Sequence, residues 1–172
     1  MSLSIHEATV PVLVRALGNL SVVIDKGREY AEVEKVEPAV LLGTRLTPTM
    51  FPLSRQVQIV SDTAKGGIAR LAAVEAPKYA DTESNFAELQ ERIEKTVAYL
   101  KSFEPRQFDG ADSRAVVIKF PNRSLNFKSG WDYLFTFVLP NVYFHCTTAY
   151  AILRQSGVKV GKSDYLGPVG QD

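Results

Sequence analysis

Apolar residues recur at intervals of three and four positions along four stretches of the chain, the spacing that places them on one face of a helix. The first stretch begins at Ser4 and Glu7, which have the Ser-x-x-Glu spacing of a capping box. We predict a helix from there to about residue 25 and an interruption at Asp25-Lys26-Gly27. A short further helix over residues 30–36 is expected to end at Pro38.

The second stretch predicts a helix that Thr47 caps, with Pro48 in its first turn, and that runs to about residue 75. Its apolar face comprises Leu53, Val57, Val60, Ala64, Ile68 and Leu71. Gly66-Gly67 lies inside this helix, which indicates either close packing against a neighbour or a local bend.

The last two stretches predict a third and a fourth helix. Asp81-Thr82 is expected to cap the third helix, which ends before Pro105. Ser129-Gly-Trp-Asp132 is expected to open the fourth, Pro140 to kink it and Gly157 to stop it. The core stripe of the fourth helix is predicted to comprise Phe135, Val138, Leu139, Val142, Cys146, Ala149 and Leu153.

The stretch between the third and fourth helices breaks the helical pattern. A β-prone run, Arg114–Phe120, precedes the turn residues Pro121–Ser124, which predicts a small hairpin. The expected fold is therefore mainly α, an up-and-down four-helix bundle with a β-hairpin insert between helices 3 and 4. An irregular α+β domain is the alternative. The Gly-rich tail, 158–172, is expected to lie over one end of the bundle.

Composition narrows the class of protein. The 172 residues suit a single domain over 1–172, and 20 Lys and Arg against 19 Asp and Glu do not favour nucleic-acid binding. One cysteine and no visible export signal predict a cytoplasmic protein. Tyr133–Leu153 is uncharged and long enough to span a membrane, but its proline, amide, imidazole and hydroxyl groups favour a central helix of a soluble bundle.

A second, polar stripe on the fourth helix contains Asn141, His145 and Thr148. On the second helix, Gln56 lies about 60° from the centre of the apolar face and is expected to point toward a cavity. We predict these four residues as candidate ligand-binding residues. The alternative is that His145 is a core-edge histidine bonded to a neighbouring helix and that Gln56 is a boundary residue.

This chain has few of the side chains that usually bind transition metals. It contains two histidines and one cysteine, so His145 is only a weak metal candidate, with Asp62 or Asn141 as conceivable further ligands. We expect Asp62 to be a solvated carboxylate near Lys65, and no metal or other cofactor. Cys146 lies on the core stripe and is expected to be inert. Five side chains could frame an organic ligand, although each is more often used in packing: Arg55, Trp131, Tyr143, Tyr150 and Tyr165.

Two blocks of sequence resemble a known family. They are Leu46–Gln58, followed by Asp62 and Lys65-Gly66, and Phe144–Gly157, followed by Gly161–Gly167. They look like an uncharacterised domain-of-unknown-function family of bacterial and fungal proteins within the DinB/YfiT-like superfamily of four-helix bundles. The resemblance implies the bundle, a cavity where relatives hold a metal, and a homodimer.

Metal-binding members of that superfamily carry a histidine on the second helix and a His-x-x-x-His pair on the last helix. In this chain the pair reads Asn141-x-x-x-His145, and the second helix has no histidine.

Three functions follow as hypotheses. The first is a bundle that binds a small molecule without a metal. The second is a metal-dependent hydrolase or thiol transferase in which His145 is a ligand or general base, and the third is a structural or interaction protein that acts as a dimer. The sequence leaves open whether the protein is an enzyme.

Overall fold

Four long helices dominate the computed structural model, which describes residues 3–170. They are α1 (Ile5–Glu34), α3 (Leu53–Leu71), α4 (Phe86–Lys101) and α6 (Leu139–Gln155). Shorter elements are α2 (Pro38–Gly43), α5 (Gly130–Tyr133), α7 (Lys162–Leu166), a 3₁₀ turn (Pro105–Phe108) and the strands β1 (Val116–Phe120) and β2 (Arg123–Phe127). The prediction of a mainly helical bundle with a small hairpin is confirmed.

Helix α1 begins as predicted but does not break. Ser4 caps it in a reciprocal capping box with Glu7. The interruption expected at residues 25–27 is wrong, because Gly27 is a packing position: a Cβ there would lie 3.0 Å from Leu153 and 3.1 Å from Phe86. Length and composition alone would let α1 cross a membrane, but core helices of soluble proteins have the same properties, and its buried stripe packs against the other long helices.

The directions of the helices refine the up-and-down prediction. The end of α4 lies beside the start of α1, where His6 Nε2 is 3.3 Å from the carbonyl oxygen of Phe103. Helices α3 and α6 are also antiparallel, whereas α1 and α6 run side by side in the same direction, since Gly27 meets Leu153 and Gly157 meets Tyr30. It follows that α3 and α4 are parallel, and that the chain between them must return along the bundle.

Residues 72–85 make this return and form the crossover. The ring of Tyr79 lies 4.9 Å from Lys65 Nζ, and Asp81 bonds Arg55 nearer the start of α3. A cap at Asp81-Thr82 is therefore wrong, because the Asp81 carboxylate is engaged in this contact. Asn85 caps α4 instead, accepting a hydrogen bond from the backbone N–H of Glu88 at 2.9 Å.

The start predicted for the second helix is also wrong. Thr47 and Pro48 belong to a turn in which the N–H of Met50 donates to the Thr47 carbonyl at 3.0 Å. Pro52 then precedes the first helical residue, Leu53, and the helix ends at Leu71 rather than near residue 75.

Of the two explanations for Gly66-Gly67, the structure supports close packing against a neighbour, not a local bend. Helix α3 is continuous through both residues. A Cβ on Gly67 would lie 2.9 Å and 3.1 Å from the two Cγ methyls of Val138, which belongs to the segment before α6. This glycine therefore permits a close approach of α3 to that segment.

The hairpin prediction is confirmed, with Val116 opposite Phe127 and Phe120 opposite Arg123. Ser129 caps the following helix as predicted, accepting from the backbone N–H of Asp132 at 3.1 Å.

A π-helical turn, Leu134–Val138, joins α5 to α6 and ends two residues before Pro140. The helix is therefore distorted just ahead of the predicted kink. The extra residue in this turn rotates the preceding residues relative to the stripe. Placing Phe135 in the core is consequently wrong: Leu134 is fully buried and Phe135 is 54% exposed.

Residues 158–170 pack along the side of the bundle, not over its end, and the last two residues of the predicted tail lie outside the described part of the chain. Gly157 ends α6 with a positive φ of 98°, as predicted, and Val158 and Val160 are buried. Residues 162–170, called the strap below, lie against α1 and α6. Asn19 of α1 donates to the Tyr165 carbonyl at 3.0 Å, and Thr147 of α6 donates to the Tyr165 hydroxyl at 3.0 Å.

Candidate functional site

Gln56 and His145 meet at the interface between α3 and α6. The side-chain Nε2 of Gln56 donates to the carbonyl oxygen of Phe51 at 2.9 Å, so its Oε1 faces His145 Nδ1 at 2.6 Å. An amide oxygen can only accept, which means that Nδ1 carries the proton and Nε2 of a neutral imidazole carries the lone pair. The amide of Gln56 thereby selects one tautomer of His145.

The environment also keeps this imidazole neutral. Burial lowers the pKa of His145 from its ordinary value near 6.5, and the positive charge of Arg55 lowers the pKa further. A neutral His145 can accept a hydrogen bond or a proton at Nε2.

The other two predicted residues lie on the same flank of α6 but bond elsewhere. The Asn141 amide donates to the Thr63 hydroxyl at 3.1 Å, and the Thr148 hydroxyl donates to the Phe144 carbonyl at 2.8 Å. The structure therefore brings Gln56 and His145 into direct contact and places Asn141 and Thr148 along the same helix without joining them into one network.

The donor set here does not fit the metal that the resemblance implies for relatives. Within residues 3–170, no three His, Cys, Asp or Glu side chains form a group that could hold a metal ion. His145 has amide neighbours, which are poor ligands for zinc. Asp62 is only partly solvated, since it accepts from Lys65 at 2.7 Å and from Arg92 at 2.9 Å.

A cavity of about 440 Å³ lies on the opposite flank of α6, between α1, α6 and the strap. Its wall is mostly apolar and consists of Val12, Arg15, Ala16, Asn19, Leu20, Val23, Tyr143, Cys146, Tyr165, Leu166 and Val169. None of Gln56, Asn141, His145 and Thr148 belongs to this wall.

Two of the five side chains expected to frame a ligand, Tyr143 and Tyr165, do line the cavity. Trp131 instead stacks on Phe135, with ring centroids 5.5 Å apart. Tyr150 lies edge-on to Tyr165 at 6.1 Å.

The polar groups of the wall gather near the strap. Arg15 donates through Nη2 to the carbonyl oxygens of Leu166 and Pro168. Burial raises the pKa of the Tyr143 hydroxyl, with smaller contributions from Tyr165 and Cys146, while Arg15 opposes the shift. Burial raises the pKa of the Cys146 thiol to about 12, so this cysteine is a neutral part of the wall.

Sequence reasoning missed the α1 side of this cavity. Arg15 and Asn19 were unremarkable polar positions beside an apolar stripe, and only the packing of α6 and the strap against them reveals their role. The lack of charge in α6 was visible, but it indicated burial rather than a cavity wall.

The architecture places the protein among DinB-type helical bundles. It is similar to the crystal structure of a DinB family member protein from Shewanella denitrificans, with a TM-score of 0.88 and 41% identity, over 97% of this chain and 94% of that chain. The model of a family described as a domain of unknown function, DUF1993, matches residues 5–166, and the chain belongs to this family. The resemblance inferred from the two sequence blocks is confirmed. No curated protein matches the chain.

Proposed function

We propose that the protein binds a small organic molecule, without a metal, in the cavity between α1, α6 and the strap. The observation that carries this proposal is the cavity itself. Its volume of about 440 Å³ falls within the range of roughly 300–1,000 Å³ that is typical of ligand pockets. An apolar wall with a few polar groups at one side is also typical of such sites.

The predicted residues Gln56, Asn141, His145 and Thr148 are proposed as a second ligand position. The support is the fixed tautomer of His145, which leaves Nε2 as an acceptor with no protein hydrogen bond within residues 3–170. Replacing His145 with Gln should weaken the binding of a ligand at this second position and leave the binding of a ligand in the cavity unchanged. A cytoplasmic location remains a prediction.

Fluorescence of N-phenyl-1-naphthylamine, a neutral apolar probe, tests the main proposal. We expect saturable binding with one probe per chain. Ala16 lies in the cavity wall and is nearly buried, so Ala16→Phe should fill the space and abolish binding. Ala98→Phe, at an exposed position of α4, is the matched control and should bind like the parent protein.

Circular dichroism must show that both variants are folded. If the Ala16→Phe variant is folded and still binds the probe with the parent affinity, the cavity is not the ligand site. If the parent protein binds neither this probe nor the alkyl probes described below in a saturable way, the proposal is also contradicted.

A homodimer is the second candidate, because the outward face of α6 is exposed and uncharged. It presents Pro140, Tyr143, Phe144 and Thr147, with Phe144 56% exposed, beside a groove of about 390 Å³. A second copy could pack on this face without like-charge repulsion. Sedimentation should show a dimer that Phe144→Lys dissociates, whereas a monomer at all concentrations would contradict this candidate.

A further inference from the structure

The cavity wall contains one cationic side chain, Arg15, and no carboxylate. We propose that the ligand is a monocarboxylate with an apolar body, bound with its carboxylate at Arg15 and its apolar part between α1 and α6. This inference rests on the proposed function and narrows it to a chemical class.

Arg15 retains the donors that a carboxylate needs. Its Nη2 serves the two strap carbonyls, and within residues 3–170 neither Nε nor Nη1 donates to another protein group and no carboxylate forms an ion pair with Arg15. A guanidinium carries five N–H donors, so three are left for a ligand. Both N–H groups of Nη2 serve the strap carbonyls, so a ligand carboxylate would accept a single charge-assisted hydrogen bond, from Nη1 or from Nε.

The strap also fixes the orientation of this group. The carbonyl oxygens of Leu166 and Pro168 hold one nitrogen of Arg15, and the ion pair of Lys26 Nζ with Asp164 at 2.7 Å ties the strap to α1. A guanidinium that is already held in place loses less conformational freedom when a ligand binds. Lys26 is engaged with Asp164 and does not belong to the cavity wall, so Arg15 is the cation that the wall offers.

The rest of the wall suits an unbranched or aromatic apolar body. Val12, Ala16, Leu20 and Val23 follow one another at helical spacing along α1. From the first to the last, this line extends about 16 Å along the helix axis. Cys146 completes the wall on α6, and its thiol is neutral. The ligand that fits this wall is therefore anionic at one end and apolar along the rest of its length.

Octanoate and octan-1-ol, which share a chain length and differ in the charged head, test the inference by calorimetry at pH 7. We expect octanoate to bind at least tenfold more tightly than octan-1-ol. Arg15→Gln should weaken octanoate binding roughly 10- to 100-fold, the loss typical of a charge-assisted contact, and leave octan-1-ol binding unchanged. Arg28→Gln, on α1 but outside the cavity wall, is the matched control and should leave both affinities unchanged.

Arg15→Lys, which keeps the charge but cannot hold both strap carbonyls while it donates to a ligand, should fall between the parent and Arg15→Gln. Equal affinity for octanoate and octan-1-ol, or an Arg15→Gln variant that keeps the parent preference, would overturn the carboxylate inference while the cavity proposal stands. If neither alkyl probe nor the naphthylamine binds, both the inference and the proposed function are wrong.

Discussion

Replacing Arg92 with Met should lower the stability of the protein by about 3 kcal/mol, because this arginine joins the crossover to α3 and α4. Its side chain is 2% exposed and contacts Asp62 at 2.9 Å, Asp81 at 3.1 Å and Glu83 at 2.7 Å. It also donates to the carbonyl oxygen of Ala80 at 3.0 Å. Met retains much of the apolar stem, so the variant mainly removes the charge and the hydrogen bonds.

The magnitude follows from burial and from the partners that remain. Breaking a buried ion pair by removing one member typically costs about 3–5 kcal/mol. Asp62 and Asp81 are 36% and 39% exposed, and Lys65 and Arg55 still pair with them. Glu83 is 11% exposed but still accepts a hydrogen bond from the Gln58 amide at 2.9 Å. We therefore expect the lower end of that range, which for a domain of this size lowers the melting temperature by roughly 6–12 °C.

Urea denaturation followed by circular dichroism measures this effect. The urea midpoint should fall for Arg92→Met while the slope of the transition stays the same, because the surface area that unfolding exposes does not change. Arg28→Met is the control: Arg28 also contacts two carboxylates, Asp25 and Glu32, but on the surface of α1, and its loss should not move the midpoint measurably. A loss below about 1 kcal/mol for Arg92→Met would refute the role given to this arginine.

Three further predictions concern single positions. The folded protein holds the pKa of His145 below its ordinary value, so the unfolded state binds a proton more readily. The contribution of His145 to stability should be full above about pH 6.5 and should fall as the pH drops below that value. In urea titrations at pH 5–7.5, His145→Gln should remove this pH-dependent contribution. Gly67→Ala gains about 1 kcal/mol of helix propensity but forces contacts of 2.9 and 3.1 Å with the Cγ methyls of Val138, so we expect a net loss of about 1 kcal/mol. In a Val138→Ala background, which lacks those methyls, the same change should instead stabilise the protein by about 1 kcal/mol. Cys146, with a pKa of about 12, should react with Ellman's reagent at pH 8 roughly a hundredfold more slowly in the native protein than in urea; equal rates would contradict its burial.

Local signals in the sequence predicted much of the fold. The capping box at Ser4 and the cap at Ser129 each predict a hydrogen bond between residues within one helical turn. The structure shows both bonds. The crossover could not be predicted in this way, because Asp81 has the composition of a helix cap and only its contacts with Arg55 and Arg92, distant in sequence, assign it elsewhere. The exposure of Phe135 depends on a π-helical turn that a regular wheel does not contain.

The candidate site divides in the same way. The wheel angle of Gln56 predicted a side chain that points toward a cavity; in the structure the side chain is buried and bonds His145 instead. The cavity needed information that periodicity lacks, namely that α1 and α6 are parallel neighbours and that the strap covers them. Tyr143 and Tyr165 were named for their chemistry, but the position of Arg15 beside them depends on tertiary packing.

An isotope-filtered NMR experiment with labelled protein and unlabelled N-phenyl-1-naphthylamine would locate the ligand between α1, α6 and the strap. We expect nuclear Overhauser contacts from the probe to the methyl groups of Leu20, Val23 and Leu166, which line the cavity. Contacts confined to the far flank of α6, around Phe144 and Thr148, or to no defined set of residues, would contradict this location.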